Sequence, residues 1–233
     1  IILEGPENEL KLTQNTQPAI LLVSYSIYTI LKDEFNFNLE KVKYFAGHSL
    51  GEYSALLSAN ALKFQDALRL LYERGKFMQE AVPLGKGSML AILGSEIEEI
   101  NNYLSEIKLK GVCEIANDNS QSQIIVSGNV ESIEELKNIL KQNKKKCISL
   151  PVSAPFHCSL MNPAAIKMKE KINNVDFKKP DYEIVGNVTA APMNSSDDIK
   201  KLLVQQIYSK VRWRESVIFM GENKINDFIE IGP

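Results

Sequence analysis

The sequence is poor in the residues that staple or metallate small proteins. Cys113, Cys147 and Cys158 are the only cysteines in 233 residues, and they form no CxxC pair and no metal-ligand spacing. Such usage argues against a disulfide framework and a metal site, and it fits a reducing cytosol. Long apolar runs are also missing. The longest, PAILLVSYSIYTIL (18–31), is too short to span a bilayer and carries Ser24, Ser26 and Thr29, so it reads as a buried core helix. No secretory signal is visible. A formal net charge of -2 gives no bulk attraction for nucleic acid. These absences predict a cytoplasmic protein with no metal, no membrane contact and no nucleic-acid partner. The chain does not start with Met and stops at EIGP, and it is read as a fragment lacking sequence at both ends.

What is present is ordinary for a globular chain: 44% hydrophobic and 24% charged residues, enough for one large domain or one domain carrying a small insert. Thr16 is a candidate N-cap, with Pro18 in the first turn of a helix over 16–34. VKYFAG (42–47) reads as a strand that stops at a glycine, and a helical pattern, EYSALLSANAL, follows at once. A further helix is expected over 65–81. Strand, tight turn and helix in that order predict an α/β fold with a parallel sheet and a hydrolase-like core. From 88 to 150 the pattern becomes βαββαβ, the ferredoxin-like order. The expected organisation is a discontinuous core, 1–86 and 152–233, with a small inserted subdomain at 87–151. The remaining elements are helix (163–172), strand (182–187), two helices (197–208 and 213–222) and a strand (227–231).

Residues 47–51 read Gly-His-Ser-Leu-Gly, a GxSxG pentapeptide. A serine at a sharp strand-to-helix turn is held with its hydroxyl exposed, the glycines let neighbouring segments approach, and the helix aims its amides at the site. The bare pattern is short enough to arise by chance, but here a strand precedes it and a helix follows. Ser49 is therefore the candidate nucleophile. A serine needs a base, and the chain offers two histidines. His48 adjoins Ser49, and adjacent side chains on a tight turn point apart. His157 remains, in a proline-flanked segment, PVSAPFHC. No acidic residue stands out as a third member, so a backbone or amide carbonyl is expected to orient the imidazole, giving a dyad.

Arg74 is a misfit. Ala67, Leu70, Leu71 and Met78 share one face of the 65–81 helix, and Arg74 lies on that face, while Arg69, Glu73 and Lys76 lie on the polar side. A buried cation is costly unless paired. It is either a structural ion pair or a guanidinium for a substrate carboxylate, which its planar fork binds with two parallel hydrogen bonds. Lys144–Lys146, Lys200, Lys201, Lys210, Arg212 and Arg214 offer basic ground for phosphates or an acidic partner, although most such runs are solvated faces. Trp213 and Tyr208 read as core residues and the cysteines as small buried fillers.

These residues carry a resemblance. GHSLGEYSAL (47–56), ERGKFMQEAVP (73–83) and PVSAPFHCSLM (151–161) resemble the signature segments of the malonyl-CoA:acyl carrier protein transacylases. NDNSQSQIIVSG (117–128) is similar to that family's NxNSPxQxVISG stretch, with departures at Gln121 and Ser122. TQPAILLVSYSIY (16–28) and LVQQIYSKVRW (203–213) also fit. The resemblance implies ping-pong transfer of malonate from CoA to the phosphopantetheine of acyl carrier protein. Ser49 would carry the acyl group, and His157 would serve as base and then acid. Arg74 would bind the carboxylate, the Gln206 main-chain carbonyl would orient His157, and the Leu50 amide would give half of the oxyanion hole. His48, Asn117 and Phe156 join Arg74, Leu50 and Gln206 as implied substrate-binding residues. A phenylalanine before the histidine goes with malonyl rather than methylmalonyl in related acyltransferases, because the ring leaves less room for a methyl. The family's other oxyanion donor lies in a GQGSQ loop that this sequence lacks. The implied partners are malonyl-CoA and acyl carrier protein, with CoA thioester as substrate, no cofactor, and a monomeric state. Alternatives at this level are a serine hydrolase or thioesterase of similar fold, and an acyltransferase-like module of a larger synthase.

Overall fold

A computed structural model describes residues 1–152, 154–193 and 195–233. A short helix, α1 (Glu7–Leu10), leads into α2 (Thr13–Asp33), which buries Gln17, Leu21, Ser24 and Tyr28 along one stripe. This helix starts a turn earlier than Thr16. The Thr16 hydroxyl donates back to the Leu10 and Leu12 carbonyls at 2.5 and 3.1 Å, so Thr16 is inside the helix rather than capping it. Pro18 lies inside the helix rather than in its first turn.

Strand β1 (Tyr44–Ala46) runs into α3 (Gly51–Ser58), and α4 (Phe64–Glu80) follows. The small sheet begins with β2 (Gly87–Leu93), then α5 (Ile97–Ser105), β3 (Cys113–Ser120), β4 (Gln123–Asn129), α6 (Val130–Gln142) and β5 (Lys146–Ser149). Its spatial order is β3-β4-β2-β5 and every described pairing in it is antiparallel. The chain continues through α7 (Asn162–Asn173), β6 (Glu183–Val185), α8 (Ser196–Gln206) and α9 (Trp213–Glu222). β6 pairs in parallel with β1, Phe45 opposite Ile184. The fold is thus α/β, with a parallel pair at its centre. The expected strand at 227–231 is not formed. Those residues pair with no strand among the described residues, and Phe228 and Ile229 are 53% and 61% exposed.

Two faces of the small sheet do different things. Leu90 and Ile92 pack with Ile100, Ile133, Leu136 and Leu140 beneath α5 and α6. Met89 and Ala91 point the other way, onto Ala116, Ile125, Leu150 and Phe156. A pleated strand sends alternate side chains to opposite faces, so β2 carries one core on each side, and its second face seats the residue next to His157. β3 is also joined to the segment before α9: the Val211 amide donates to Ala116 at 2.8 Å and the Asp118 amide to Val211 at 2.9 Å. Arg214 pairs with buried Asp118 at 2.9 Å beside that seam. The larger core gathers Leu21, Leu56, Leu71, Met78, Met168 and Ile184 around β1 and β6.

The basic residues flagged in the sequence are largely occupied. Lys145 pairs with Glu99, Lys210 and Arg212 with Glu215, and the Lys200 ammonium donates to the Asn173 carbonyl. Cys158 is buried, whereas Cys113 and Cys147 are only half-buried. Tyr208 packs against the large core, and the Trp213 ring meets the His48 ring edge-on at 5.6 Å.

Candidate active site

Ser49 stands between β1 and α3 with φ +54°, a left-handed conformation that non-glycine residues rarely adopt. Gly47 makes the turn feasible, since a Cβ there would lie 2.0 Å from the Gly51 carbonyl oxygen. Gly51 has open space around it, so close approach explains the first glycine of the pentapeptide and not the second. His157 also has positive φ, +57°.

The two side chains meet across 108 residues of sequence: Ser49 Oγ is 2.7 Å from His157 Nε2. His157 Nδ1 is 2.8 Å from the Gln206 main-chain oxygen. A carbonyl only accepts, so Nδ1 carries the proton and Nε2 is left with a lone pair facing the serine hydroxyl. Burial, reinforced by the nearby Arg74 charge, pushes the His157 pKa down to about 3, against the opposing pull of the Gln206 bond. The imidazole is therefore neutral at physiological pH, the form that accepts a proton.

Arg74 is buried, as its place on the apolar face of α4 predicts. Its Nη1 donates to Gln17 Oε1 at 2.6 Å, and its Nη2 donates to Gln206 Oε1 at 2.9 Å and Ser49 Oγ at 3.0 Å. Its Nε has no partner among the described residues. Gly75 brings α2 close enough for the Gln17 contact, because a Cβ at 75 would lie 2.5 Å from the Gln14 Cα. No carboxylate among the described residues pairs with the guanidinium directly; the nearby carboxyl group is that of Glu52, reached through Gln206, whose side-chain Nε2 donates to Glu52.

Three residues of the cluster escaped sequence reasoning. Asn187 accepts the Ser49 amide at 2.7 Å and donates to the Gly47 carbonyl at 2.8 Å, clamping the turn. Glu52 is buried and accepts from the Asn187 amide at 3.2 Å. Burial raises its pKa to about 7, opposed by Gln206, Asn187 and Arg74. Gln17 is the third. Glu52 had a legible sign, since it is a charged residue beside Tyr53, Ala55 and Leu56 on the buried side of α3.

The other expected residues divide. Leu50 stands at the N-cap of α3, and no acceptor among the described residues takes its amide. His48 faces away from Ser49; its Nε2 is 2.8 Å from Asn119 Oδ1, and burial lowers its pKa. Asn117 lies at an irregularity of β3 and bridges to Val211, while the polar contact with the His48 ring comes from Asn119. Phe156, the residue before His157, lines a cleft of about 810 Å³ with Leu12, Thr16, Val82, Pro83 and Val152, and neither Ser49 nor His157 lines it. Among the described residues no group of three or more His, Cys, Asp or Glu is arranged to hold a metal ion.

Comparison with known proteins converges on one group. The family described as "Acyl transferase domain" matches residues 1–233. A malonyl CoA-acyl carrier protein transacylase of Bacillus subtilis (strain 168) is 42% identical over 235 residues, covering 100% of this chain and 73% of that protein. The crystal structure of an acyl-carrier-protein-S-malonyltransferase from Bartonella henselae superposes with a TM-score of 0.94 at 41% identity, covering 98% of this chain and 73% of that one. A malonyl-transacylase solved in complex with its type II PKS acyl-carrier protein gives a TM-score of 0.94 at 38% identity, over 99% of this chain and 74% of that one.

Proposed function

The chain belongs to the acyl transferase domain family, and from that premise we propose that it carries malonyl groups from coenzyme A to acyl carrier protein through an ester on Ser49. The observation that carries the mechanism is the Ser49–His157 contact at 2.7 Å with Arg74 Nη2 3.0 Å from the same oxygen. In the first half-reaction His157 Nε2 takes the Ser49 proton and Oγ attacks the thioester carbonyl. The C–S bond then breaks, and His157 returns the proton to the departing CoA sulfur. In the second, His157 takes the proton of the phosphopantetheine thiol, the sulfur attacks the ester carbonyl, the C–O bond to Ser49 breaks, and His157 returns the proton to Ser49 Oγ. The Leu50 amide, at the start of α3, supports the developing oxyanion.

A malonyl group on Ser49 has its free carboxylate one methylene beyond the ester carbonyl. That short tether keeps the carboxylate within the neighbourhood of Arg74. The guanidinium supplies charge and paired donors, and its unpartnered Nε is a donor in waiting. Gln206 orients His157 with its carbonyl and Arg74 with its amide oxygen. Phe156, the residue before His157, is read as limiting the space for a substituent on the methylene, and His48 and Asn117 are read as further substrate-binding residues.

The strand order β3-β4-β2-β5 supports reading 87–151 as a ferredoxin-like subdomain, inserted between 1–86 and 152–233 of a hydrolase-like core with Ser49 at a nucleophile elbow. We further read the protein as a cytoplasmic monomer acting without cofactor, metal, membrane or nucleic acid; among the described residues no helix is long and apolar enough to cross a membrane. The test is intact-mass analysis after incubation with mixed acyl-CoAs. The protein should gain one malonyl group, Ser49→Ala should gain none, and added acyl carrier protein should discharge the ester faster than water does. An unlabelled wild type, or a Ser49→Ala variant that labels normally, would falsify the assignment.

A further inference from the structure

We propose that Glu52 is a positioning residue whose single carboxylate, by holding Gln206 and Asn187 together, aligns the Ser49 turn with the His157 imidazole. The inference rests on the reading of Ser49 as the acylated residue. Glu52 is 1% exposed, an expensive place for a carboxylate unless its oxygens are engaged. Both are engaged. One accepts the Asn187 amide at 3.2 Å and the other accepts from Gln206 Nε2. Each partner then grips the turn. Asn187 holds the Ser49 amide and the Gly47 carbonyl. Gln206 Nε2 also donates to the Ser49 carbonyl at 2.9 Å, while the Gln206 main-chain oxygen holds His157.

The partners dictate which way the Gln206 amide faces. Its oxygen accepts from Arg74 and its nitrogen donates to the Glu52 carboxyl group, so the amide lies between a donor and an acceptor. Reversal would set donor against donor at Arg74 and acceptor against acceptor at Glu52. A glutamine at position 52 has the same shape but turns an NH2 toward the Gln206 NH2, or loses the Asn187 contact by flipping. The alignment is then undone with little change in volume.

The experiment measures Ser49 acylation with malonyl-CoA and acetyl-CoA in wild type, Glu52→Gln, and Glu52→Gln with Gln206→Glu, well below each melting temperature. A displacement of the reacting pair by roughly 1 Å lowers rate about 100-fold, so Glu52→Gln should lose about that factor in kcat with both acyl groups alike and with a smaller change in KM. The double variant restores an acceptor on 206 facing a donor on 52 and should recover part of the loss. Wild-type kcat in Glu52→Gln, or a double variant no faster than the single one, overturns the proposal. If Glu52→Gln does not fold, Glu52→Asp serves, since its carboxylate is one methylene too short to hold both partners; a folded Glu52→Asp with wild-type kcat likewise overturns it. A wild type that fails to acylate Ser49 marks failure of the underlying reading instead.

Discussion

Replacing Arg74 by alanine separates the charge-reading role of the site from its acyl-transfer chemistry. The guanidinium has five N–H donors, and Gln17, Gln206 and Ser49 engage its two terminal nitrogens in the free protein while Nε is unpartnered. On the proposed reading, a malonyl carboxylate gains two charge-assisted hydrogen bonds there. At about 1.5–3 kcal/mol each, they amount to roughly 3–6 kcal/mol, or about 10²- to 10⁴-fold in kcat/KM. An acetyl group has no carboxylate and forfeits nothing. The assay is transfer of labelled malonyl and acetyl from their CoA thioesters to purified acyl carrier protein, with kcat/KM measured for each. Arg74→Ala should lose malonyl transfer by the stated factor and keep or increase acetyl transfer. Arg74→Lys should fall between, because a point charge cannot reproduce the fork. The acetyl arm also controls for indirect damage, since removing Arg74 strips a donor from Gln206, which holds His157. An equal loss for both acyl groups would refute carboxylate recognition and leave Arg74 as a structural cation.

Gly47→Ala should abolish acylation and lower the melting temperature, because the new Cβ would meet the Gly51 carbonyl oxygen at 2.0 Å and push α3 off β1; wild-type activity with an unchanged melting temperature would contradict the steric account. The pH dependence of stability should carry two opposing slopes. His157, lowered from 6.5 to about 3, binds a proton more readily unfolded than folded, so stability falls as pH drops through that window. Glu52, raised from 4.5 to about 7, contributes stability that is complete below 4.5 and lost as pH rises through 7. In Glu52→Gln the second slope vanishes, and melting temperature should climb more steeply with pH between 4.5 and 7 than in wild type; parallel curves would count against the raised Glu52 pKa.

Local features of the fold and site were legible because their signals are local. A strand ending in Gly47, a serine and an immediate helix announce the turn around Ser49. The helical stripe of Ala67, Leu70, Leu71 and Met78 exposes Arg74 as out of place. Alternating patterns mark out the order β2, α5, β3, β4, α6, β5. What stayed hidden depends on partners far apart in the chain. Gln17, Glu52 and Asn187 are ordinary polar residues until folding brings them together, and no spacing links 52 to 187 or 206. The 227–231 stretch shows the opposite failure: its apolar pattern suits a strand, but a strand exists only where a neighbour receives its hydrogen bonds. Thr16 misled for a related reason. It has the chemistry of a cap, yet its hydroxyl serves carbonyls of the preceding turn.

The long sequence interval between Ser49 and its last partner has a consequence for biogenesis. Gln206, which bonds to the Ser49 carbonyl, comes 157 residues later. At about 5–20 residues per second, the ribosome takes roughly 8–30 s to deliver it. Throughout that interval the chain lacks the carbonyl that orients His157 and the side-chain amide that bridges Arg74 and Glu52. On the proposed reading, catalytic competence cannot precede the delivery of Gln206.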